Sequence, residues 1–137
     1  MTAHAAAEET RSMEPGRALG AALWVVQIGV AAMFLMAGWS KLSGAPQMVA
    51  LFDAIGLGQW FRLLTGSLEA TGAVLLLVPA LSGVGAILLV SVMIGALTTH
   101  ALIGGSPVAA AVLLAASAFV AWGRRERTRR VLSRLGR

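Results

Sequence analysis

Four long runs of apolar residues dominate the chain. They cover residues 19–39, 63–81, 83–103 and 106–122. A helix needs about 17–25 residues to cross a hydrocarbon core of about 30 Å, so each run is long enough to be a membrane span. The pattern therefore predicts an all-α protein of one domain, an integral membrane four-helix bundle.

The stretch between the first two runs predicts a further, shorter helix. Pro46 suits a first helical position, and Met48, Phe52 and Ile55 recur at helical spacing before Gly56. These apolar residues would share one face of the helix. We therefore expect a short amphipathic helix at the membrane surface between spans 1 and 2.

Composition supports the membrane assignment and sets the bounds of the two tails. The 137 residues are 58% hydrophobic and 12% charged, whereas soluble domains are about 45–50% apolar and about 25% charged. Residues 1–17 contain too little apolar surface to offset the entropy of ordering, so we expect a disordered tail there. The membrane domain is predicted over 18–123, followed by a basic tail over 124–137.

The arginines predict how the chain crosses the membrane. Seven of the eleven Lys and Arg residues follow the last apolar run, and Arg11 and Arg17 precede the first. Because positive charge stays on the cytoplasmic side, both tails are expected to be cytoplasmic. Lys41 and Arg62, in the first outside loop, oppose this orientation with only two charges.

The basic tail allows two interpretations. Arginine-rich stretches can bind nucleic acid. In this tail, however, Val131, Leu132 and Leu135 form a short apolar stripe, which favours a topology signal and an anchor to anionic lipids. We therefore expect the lipid bilayer as a partner and no nucleic acid.

Glu69 is the main candidate for chemistry, because it lies in the second apolar run, where a carboxylate costs about 2.5–3.5 kcal/mol. In the predicted topology, Lys41 at the end of span 1 and His100 near the end of span 3 lie on the same extracytoplasmic side. A Lys–Glu–His cluster is therefore geometrically possible. It is either a ligand- or proton-binding site or an internal ion pair that fixes helix register.

Five further residues are predicted to support this cluster. Gly38 and Gly72 permit close approach of helices, although such glycines are also ordinary in packed spans. Thr99 offers a hydroxyl group for a hydrogen bond across helices. Asp53 and Arg62 lie on the outer side, where Asp53 either caps the site or faces water.

Several stretches carry a resemblance to a known family. They are Phe34-Leu35-Met36-Ala37-Gly38-Trp39-Ser40-Lys41-Leu42, Leu68-Glu69-Ala70-Thr71-Gly72-Ala73, Thr99-His100, Gly44-Ala45-Pro46-Gln47 and Phe52-Asp53-Ala54-Ile55-Gly56-Leu57. In order and spacing they resemble the DoxX-like family of small four-span membrane proteins, over about residues 20–123. The resemblance is to a bacterial branch, which implies the bacterial cytoplasmic (inner) membrane. It assigns the family's polar signature to Gly38, Lys41, Glu69 and His100.

The resemblance implies an accessory role rather than a stand-alone enzyme. Some relatives are similar to the membrane subunit of a thiosulfate:quinone oxidoreductase, and others associate with redox or sulfur-handling partners. Still others, in animals, look like membrane chaperones or assembly factors. The expected function is thus a redox-linked or quinone-interacting subunit. The alternatives are a non-catalytic scaffold or assembly factor, and a small proton-coupled exporter that uses Glu69.

Missing residue types narrow the possible cofactors. The chain has no cysteine, so disulfides, thiol redox couples and cysteine-ligated clusters are excluded. His100 is the one histidine in the spans and cannot supply a bis-histidine haem or an ordinary zinc site. We expect no metal and consider quinone as the cofactor. A peripheral oxidoreductase, another membrane partner and a homo-oligomer remain open.

Overall fold

Every regular element in the computed structural model is a helix, over the described backbone of residues 2–137, with side chains described from residue 16 onward. The six helices are α1 Thr2–Leu42, α2 Pro46–Ile55, α3 Gln59–Leu77, α4 Ser82–Ile103, α5 Val108–Gly123 and α6 Arg125–Leu135. The predicted all-α class is confirmed, as is a short helix between the first two long ones.

The four long helices α1, α3, α4 and α5 pack in a ring. Helix α3 lies between α1 and α4, and α5 packs against α4 and also contacts α1. Phe34, Leu76 and Leu89 are fully buried where these helices meet. The remaining core residues are Val30, Ala31, Ala73, Ala86, Met93, Ala110 and Val120. The core is therefore built by all four long helices together.

The ends of α2 and α3 follow from local residues. Gly56 adopts the left-handed conformation, with φ 81°, and its N–H bonds the carbonyls of Phe52 and Asp53, which ends α2. Val78 is extended because it precedes Pro79, so α3 ends at Leu77. The helix consequently covers Gln59–Leu77 instead of the apolar run 63–81, beginning four residues earlier.

The N-terminal tail differs from the expectation of disorder. Helix α1 is continuous from Thr2 to Leu42, so residues 2–17 are helical in the structure. Alanine and glutamate are strong helix formers, and extending an existing helix avoids the cost of nucleating a new one. The side chain of Arg11, used above for orientation, lies outside the described residues.

Within the described residues, two helices are long and apolar enough to cross a membrane. They are Gly16–Leu42, within α1, and α4. Helices α5 and α6 pass the same test only as a pair, and they are bent by 67°. Helix α3 has 19 residues but carries Arg62 and Glu69. By length and composition the structure thus has two or three candidate spans, and it does not confirm the predicted four-span bundle. It also presents large apolar side chains on its outside, as a lipid-facing bundle does.

Candidate functional site

Lys41 and Glu69 form an ion pair between α1 and α3. The Nζ of Lys41 lies 3.0 Å from Oε2 of Glu69, and the two side chains are 14% and 3% exposed. Lys41 is in the last turn of α1, whereas Glu69 is in the middle of α3. The structure thus brings together two of the three residues predicted to form the site.

Two glycines allow α1 and α3 to approach closely beside this pair. A Cβ on Gly38 would lie 3.0 Å from the carbonyl oxygen of Gly66, and a Cβ on Gly66 would lie 2.9 Å from the Cβ of Lys41. The backbones therefore touch at this crossing, as small residues permit. Gly38 thus lies at the crossing of α1 and α3, and Lys41 lies directly over Gly66.

A chain of hydrogen bonds connects the backbone of Lys41 to the surface. Nη1 of Arg62 donates to the carbonyl oxygen of Lys41, and Nε of Arg62 donates to Oε1 of Gln59 at 2.6 Å. Nε2 of Gln59 donates to Oδ1 of Asp53 at 2.7 Å and to the carbonyl oxygen of Val49 at 3.0 Å. We call this set the Lys41–Glu69 network: Asp53, Gln59, Arg62, Lys41 and Glu69. Asp53 and Arg62 are therefore joined to the predicted site.

Helix α2 holds the outer part of this network in place. Phe52 is buried and meets Phe61 of α3 edge to face, with the ring centroids 5.7 Å apart. This contact fixes α2 against the start of α3, so that Asp53 and Val49 face Gln59. Helix α2 thus positions the outer residues of the Lys41–Glu69 network.

His100 lies near the end of α4, at the same end of the bundle as Lys41, but about two turns of α4 from the level of Glu69. Gly72 packs on Leu89, and Gly85 packs on Leu76. Continuing this antiparallel register puts Glu69 level with Val92, eight residues or about 12 Å along the helix from His100. Among residues 16–137, Nδ1 of His100 has no hydrogen-bond partner, and a Cβ on Gly105 would stand 3.0 Å from it.

Thr99 and Gly72 serve other contacts. Oγ1 of Thr99 donates to the carbonyl oxygen of Gly95, 3.0 Å away within the same helix, so it does not bond across helices as expected. A Cβ on Gly72 would lie 2.6 Å from Cδ2 of Leu89. Gly72 therefore supports the packing of α3 on α4, about one turn from Glu69.

A second buried polar cluster lies at the opposite end of the bundle. Gln27 is fully buried. Its Nε2 donates to the carbonyl oxygen of Leu76 at 2.9 Å, and its Oε1 accepts from Nε of Arg124 at 2.7 Å. The Leu76 carbonyl belongs to the last turn of α3, where carbonyls lack partners within the helix. Gln27 thus joins three segments of the chain.

Arg124 is held in this cluster by several contacts. Its side chain is 6% exposed, and its Cζ lies 5.5 Å from the centroid of the Trp24 ring, within range of a cation–π interaction. Burial lowers the pKa of Arg124, and the neighbouring charge of Arg127 acts in the same direction. Its Nη2 has no partner among residues 16–137.

Sequence reasoning missed this second cluster. Gln27 is an amide inside the first apolar run, and a buried amide in a membrane helix needs partners. That signal was present in the sequence. The partner could not be named, because Arg124 lies 97 residues away and looked like one member of a surface-charged tail.

The match to a known family covers the four packed helices. The sequence profile of the DoxX-like family matches residues 25–123. The chain belongs to the DoxX-like family. Neither a curated protein nor a solved structure matches the chain.

The DoxX-like match bears on both polar clusters. It includes the whole Lys41–Glu69 network and Gln27, and it ends one residue before Arg124. Helix α6 lies outside it. Together with the apolar helices, the family assignment identifies this DoxX-like chain as a small membrane protein.

Proposed function

We propose that α1, α3, α4 and α5 all cross the bacterial inner membrane, with both termini in the cytoplasm. At 1.5 Å per residue, α3 is about 28 Å long and α5 about 24 Å, close to the hydrocarbon thickness with slight thinning. The charge of Glu69 within α3 is offset by Lys41. In this arrangement the ion pair lies in the outer half of the membrane and Arg124 at the inner surface.

We further propose that the protein is a redox-linked accessory subunit that interacts with a quinone. The observation that carries the proposal is the Lys41–Glu69 pair between α1 and α3. Hydrogen bonds through Arg62 and Gln59 connect the backbone carbonyl of Lys41 to exposed Asp53. A quinone headgroup is an apolar ring with two carbonyl oxygens. It suits the lipid-facing helices α1 and α3, where Lys41 offers one charged hydrogen-bond donor. The resemblance of some DoxX-like relatives to the membrane subunit of a thiosulfate:quinone oxidoreductase supports this proposal.

Lys41 would make the contact with the quinone. Its Nζ has three N–H donors and uses one on Glu69, and its side chain is more exposed than that of Glu69. It can therefore donate to a quinone oxygen while Glu69 holds its charge in place. Arg62 does not release its proton, so the rest of the network orients Lys41 and carries no protons.

Reduction of the bound quinone would require a partner protein that supplies electrons. Reduction of a quinone to a quinol takes two electrons and two protons. A peripheral oxidoreductase would supply the two electrons, and water on the aqueous side would supply the two protons. The DoxX-like chain itself would bind and orient the quinone headgroup.

Retention of quinone by the purified protein tests this function. Full-length protein in mild detergent is loaded with menaquinone or ubiquinone, washed, and its quinone content is measured by chromatography. A charge-assisted hydrogen bond contributes about 1.5–3 kcal/mol, so Lys41→Gln and Glu69→Gln should each lower affinity at least about tenfold. Glu126→Gln, which removes an exposed carboxylate, serves as the control and should retain wild-type binding.

Two outcomes would count against the quinone proposal. Equal affinity in wild type and in folded Glu69→Gln would show that the pair does not hold the quinone. Absence of quinone binding to wild-type protein would also overturn it. Lys41→Arg, which keeps the charge, should retain part of the affinity.

A non-catalytic scaffold is the second candidate, and one observation favours it. The pair is closed within the chain and lies at the Gly38–Gly66 crossing, where it would fix the register of α1 and α3 without any ligand. If the protein is a scaffold, the same protein partner should co-purify with wild type and with folded Glu69→Gln. A proton-coupled exporter has less support, because Glu69 already has Lys41 as its counterion.

A further inference from the structure

A groove lined by arginines lies at the end of the bundle that holds Arg124. Its walls are the α3–α4 turn and one face of α6, and the residues that line it are Pro79, Ala80, Arg127, Arg130 and Arg134. The three arginines are spaced three and four positions apart, so they share one face of α6. Nη1 of Arg127 donates to the carbonyl oxygen of Pro79 at 3.0 Å, which ties α6 to the turn.

The positive charge in this groove is not neutralised within residues 16–137. The one acidic residue of α6, Glu126, pairs with Arg129 at 3.3 Å, outside the groove. Among those residues no carboxylate forms an ion pair with any of the three groove arginines. Arg124 adds a buried charge three residues away, and its Nη2 has no partner there. The groove therefore suits an anion.

The surroundings of the groove indicate a membrane surface. On α6, Leu132 is 58% exposed and Leu135 is 79% exposed, while Trp122 at the end of α5 is 55% exposed. Exposed leucines on a basic amphipathic helix, beside a tryptophan, are typical of the layer where headgroups meet acyl chains. A phosphate bound here would thus lie at the depth of lipid headgroups.

We propose that this groove binds the phosphate of an anionic phospholipid. Arg127, Arg130 and Arg134 would bond the phosphate oxygens, because the planar guanidinium matches phosphate geometry with paired N–H donors. The acyl chains would lie along the apolar outer surface of the bundle. The lipid would also hold α6 against the α3–α4 turn and keep Arg124 next to Gln27.

Native mass spectrometry of the delipidated full-length protein tests the proposal. The protein is titrated with phosphatidylglycerol and with phosphatidylcholine, which carries the same phosphate but a compensating cation. Each basic residue near an anionic surface contributes about 1 kcal/mol, or about fivefold in affinity. We expect wild type to prefer phosphatidylglycerol at least about tenfold, and Arg127→Gln/Arg130→Gln/Arg134→Gln to lose that preference.

A matched variant distinguishes lipid binding in the groove from attraction by the overall positive charge of the C-terminal segment. Arg125→Gln/Arg129→Gln/Arg137→Gln removes the same number of charges from residues that do not line the groove, so it should keep the preference. Arg130→Gln/Arg134→Gln leaves the Arg127–Pro79 bond in place. It should lose most of the preference while remaining as helical as wild type by circular dichroism.

Four results would overturn the proposal. The groove variant could keep the preference, or the matched variant could lose it equally, which would indicate diffuse electrostatic attraction. If inorganic phosphate at lipid-like concentration displaced phosphatidylglycerol, the groove would be a site for soluble phosphate instead of a lipid. Wild type without any preference would also contradict it.

Discussion

The Lys41–Glu69 pair is unevenly buried, and this governs what its mutation should do. Glu69 is almost fully shielded, whereas Lys41 keeps limited access to the surface. Removing one partner of a buried pair leaves the other charge uncompensated, while removing both together can be nearly neutral. The loss of one partner and the loss of both therefore have different expected costs.

A double-mutant cycle on this pair should reveal strong coupling. Lys41→Gln and Glu69→Gln should each destabilise the protein by about 2–4 kcal/mol, and the double variant by less than the sum, with a coupling of about 1–3 kcal/mol. Unfolding in mixed detergent, followed by circular dichroism, measures these values. The exposed Glu126–Arg129 pair provides the control cycle and should give less than about 1 kcal/mol. Additive effects at Lys41 and Glu69 would contradict this expectation.

Gln27 should matter more for stability than its single side chain suggests. Replacing it with leucine leaves Nε of Arg124 and the carbonyl oxygen of Leu76 without a partner. Each unsatisfied buried group costs about 1–3 kcal/mol, so Gln27→Leu should destabilise the protein by about 2–5 kcal/mol. Gln47→Leu, at an exposed position of α2, should change stability by less than about 0.5 kcal/mol. Equal stability of Gln27→Leu and Gln47→Leu would show that the hydrogen bonds of Gln27 make no net contribution to the free energy of unfolding.

The contacts between helices depend on a few glycines. At Gly85 a Cβ would lie 2.7 Å from the backbone nitrogen of Leu76 and 2.8 Å from the carbonyl oxygen of Gly72. Backbone atoms cannot move aside as flexible side chains do. Helices α3 and α4 can therefore keep their present separation only while residue 85 is glycine.

Two glycines of α4 should respond in opposite ways to alanine. Gly85→Ala should force α3 and α4 apart and destabilise the protein by about 1–3 kcal/mol. Gly95 has no neighbour within 4 Å of a Cβ, so Gly95→Ala should stabilise the helix by up to about 1 kcal/mol through helix propensity. The same unfolding measurement checks both. Destabilisation by Gly95→Ala would contradict the open space that the structure has around residue 95.

The proposed four-span topology places the two ends of the bundle on opposite sides of the membrane. Trp39 and Trp60 are exposed near one end, and Trp122 is exposed near the other. Such aromatic belts are found at both membrane surfaces. Loops at the Lys41 end should then face outward, and α6 should face the cytoplasm.

Cysteine labelling can test this topology directly, because the chain has no cysteine of its own. Ser43→Cys and Ser106→Cys, both at exposed loop positions, should react with a membrane-impermeant maleimide added to intact spheroplasts. Ser133→Cys, on exposed α6, should react only after the membrane is permeabilised. Labelling of all three from outside, or of Ser133→Cys alone, would contradict the proposed orientation.

The sequence by itself determined the class of the protein and the positions of its helices. Apolar runs of span length fixed where α1, α3, α4 and α5 would form, because a long apolar helix is stable only against lipid or other helices. Pro46 and Gly56 marked the two ends of α2, whereas α3 begins and ends four residues before the apolar run that predicted it. A carboxylate at Glu69 inside such a run required a partner, and the predicted topology offered Lys41 and His100, of which Lys41 forms the pair.

The tertiary structure decided which polar groups meet. Pairing between helices depends on the rotation and register of each helix, and these are set by contacts such as Gly38 on Gly66 and Gly72 on Leu89. A shift of two turns along α4 was enough to separate His100 from Glu69. The bond between Gln27 and Arg124 spans 97 residues. No local pattern encodes such a contact, because it arises only when all four long helices are packed.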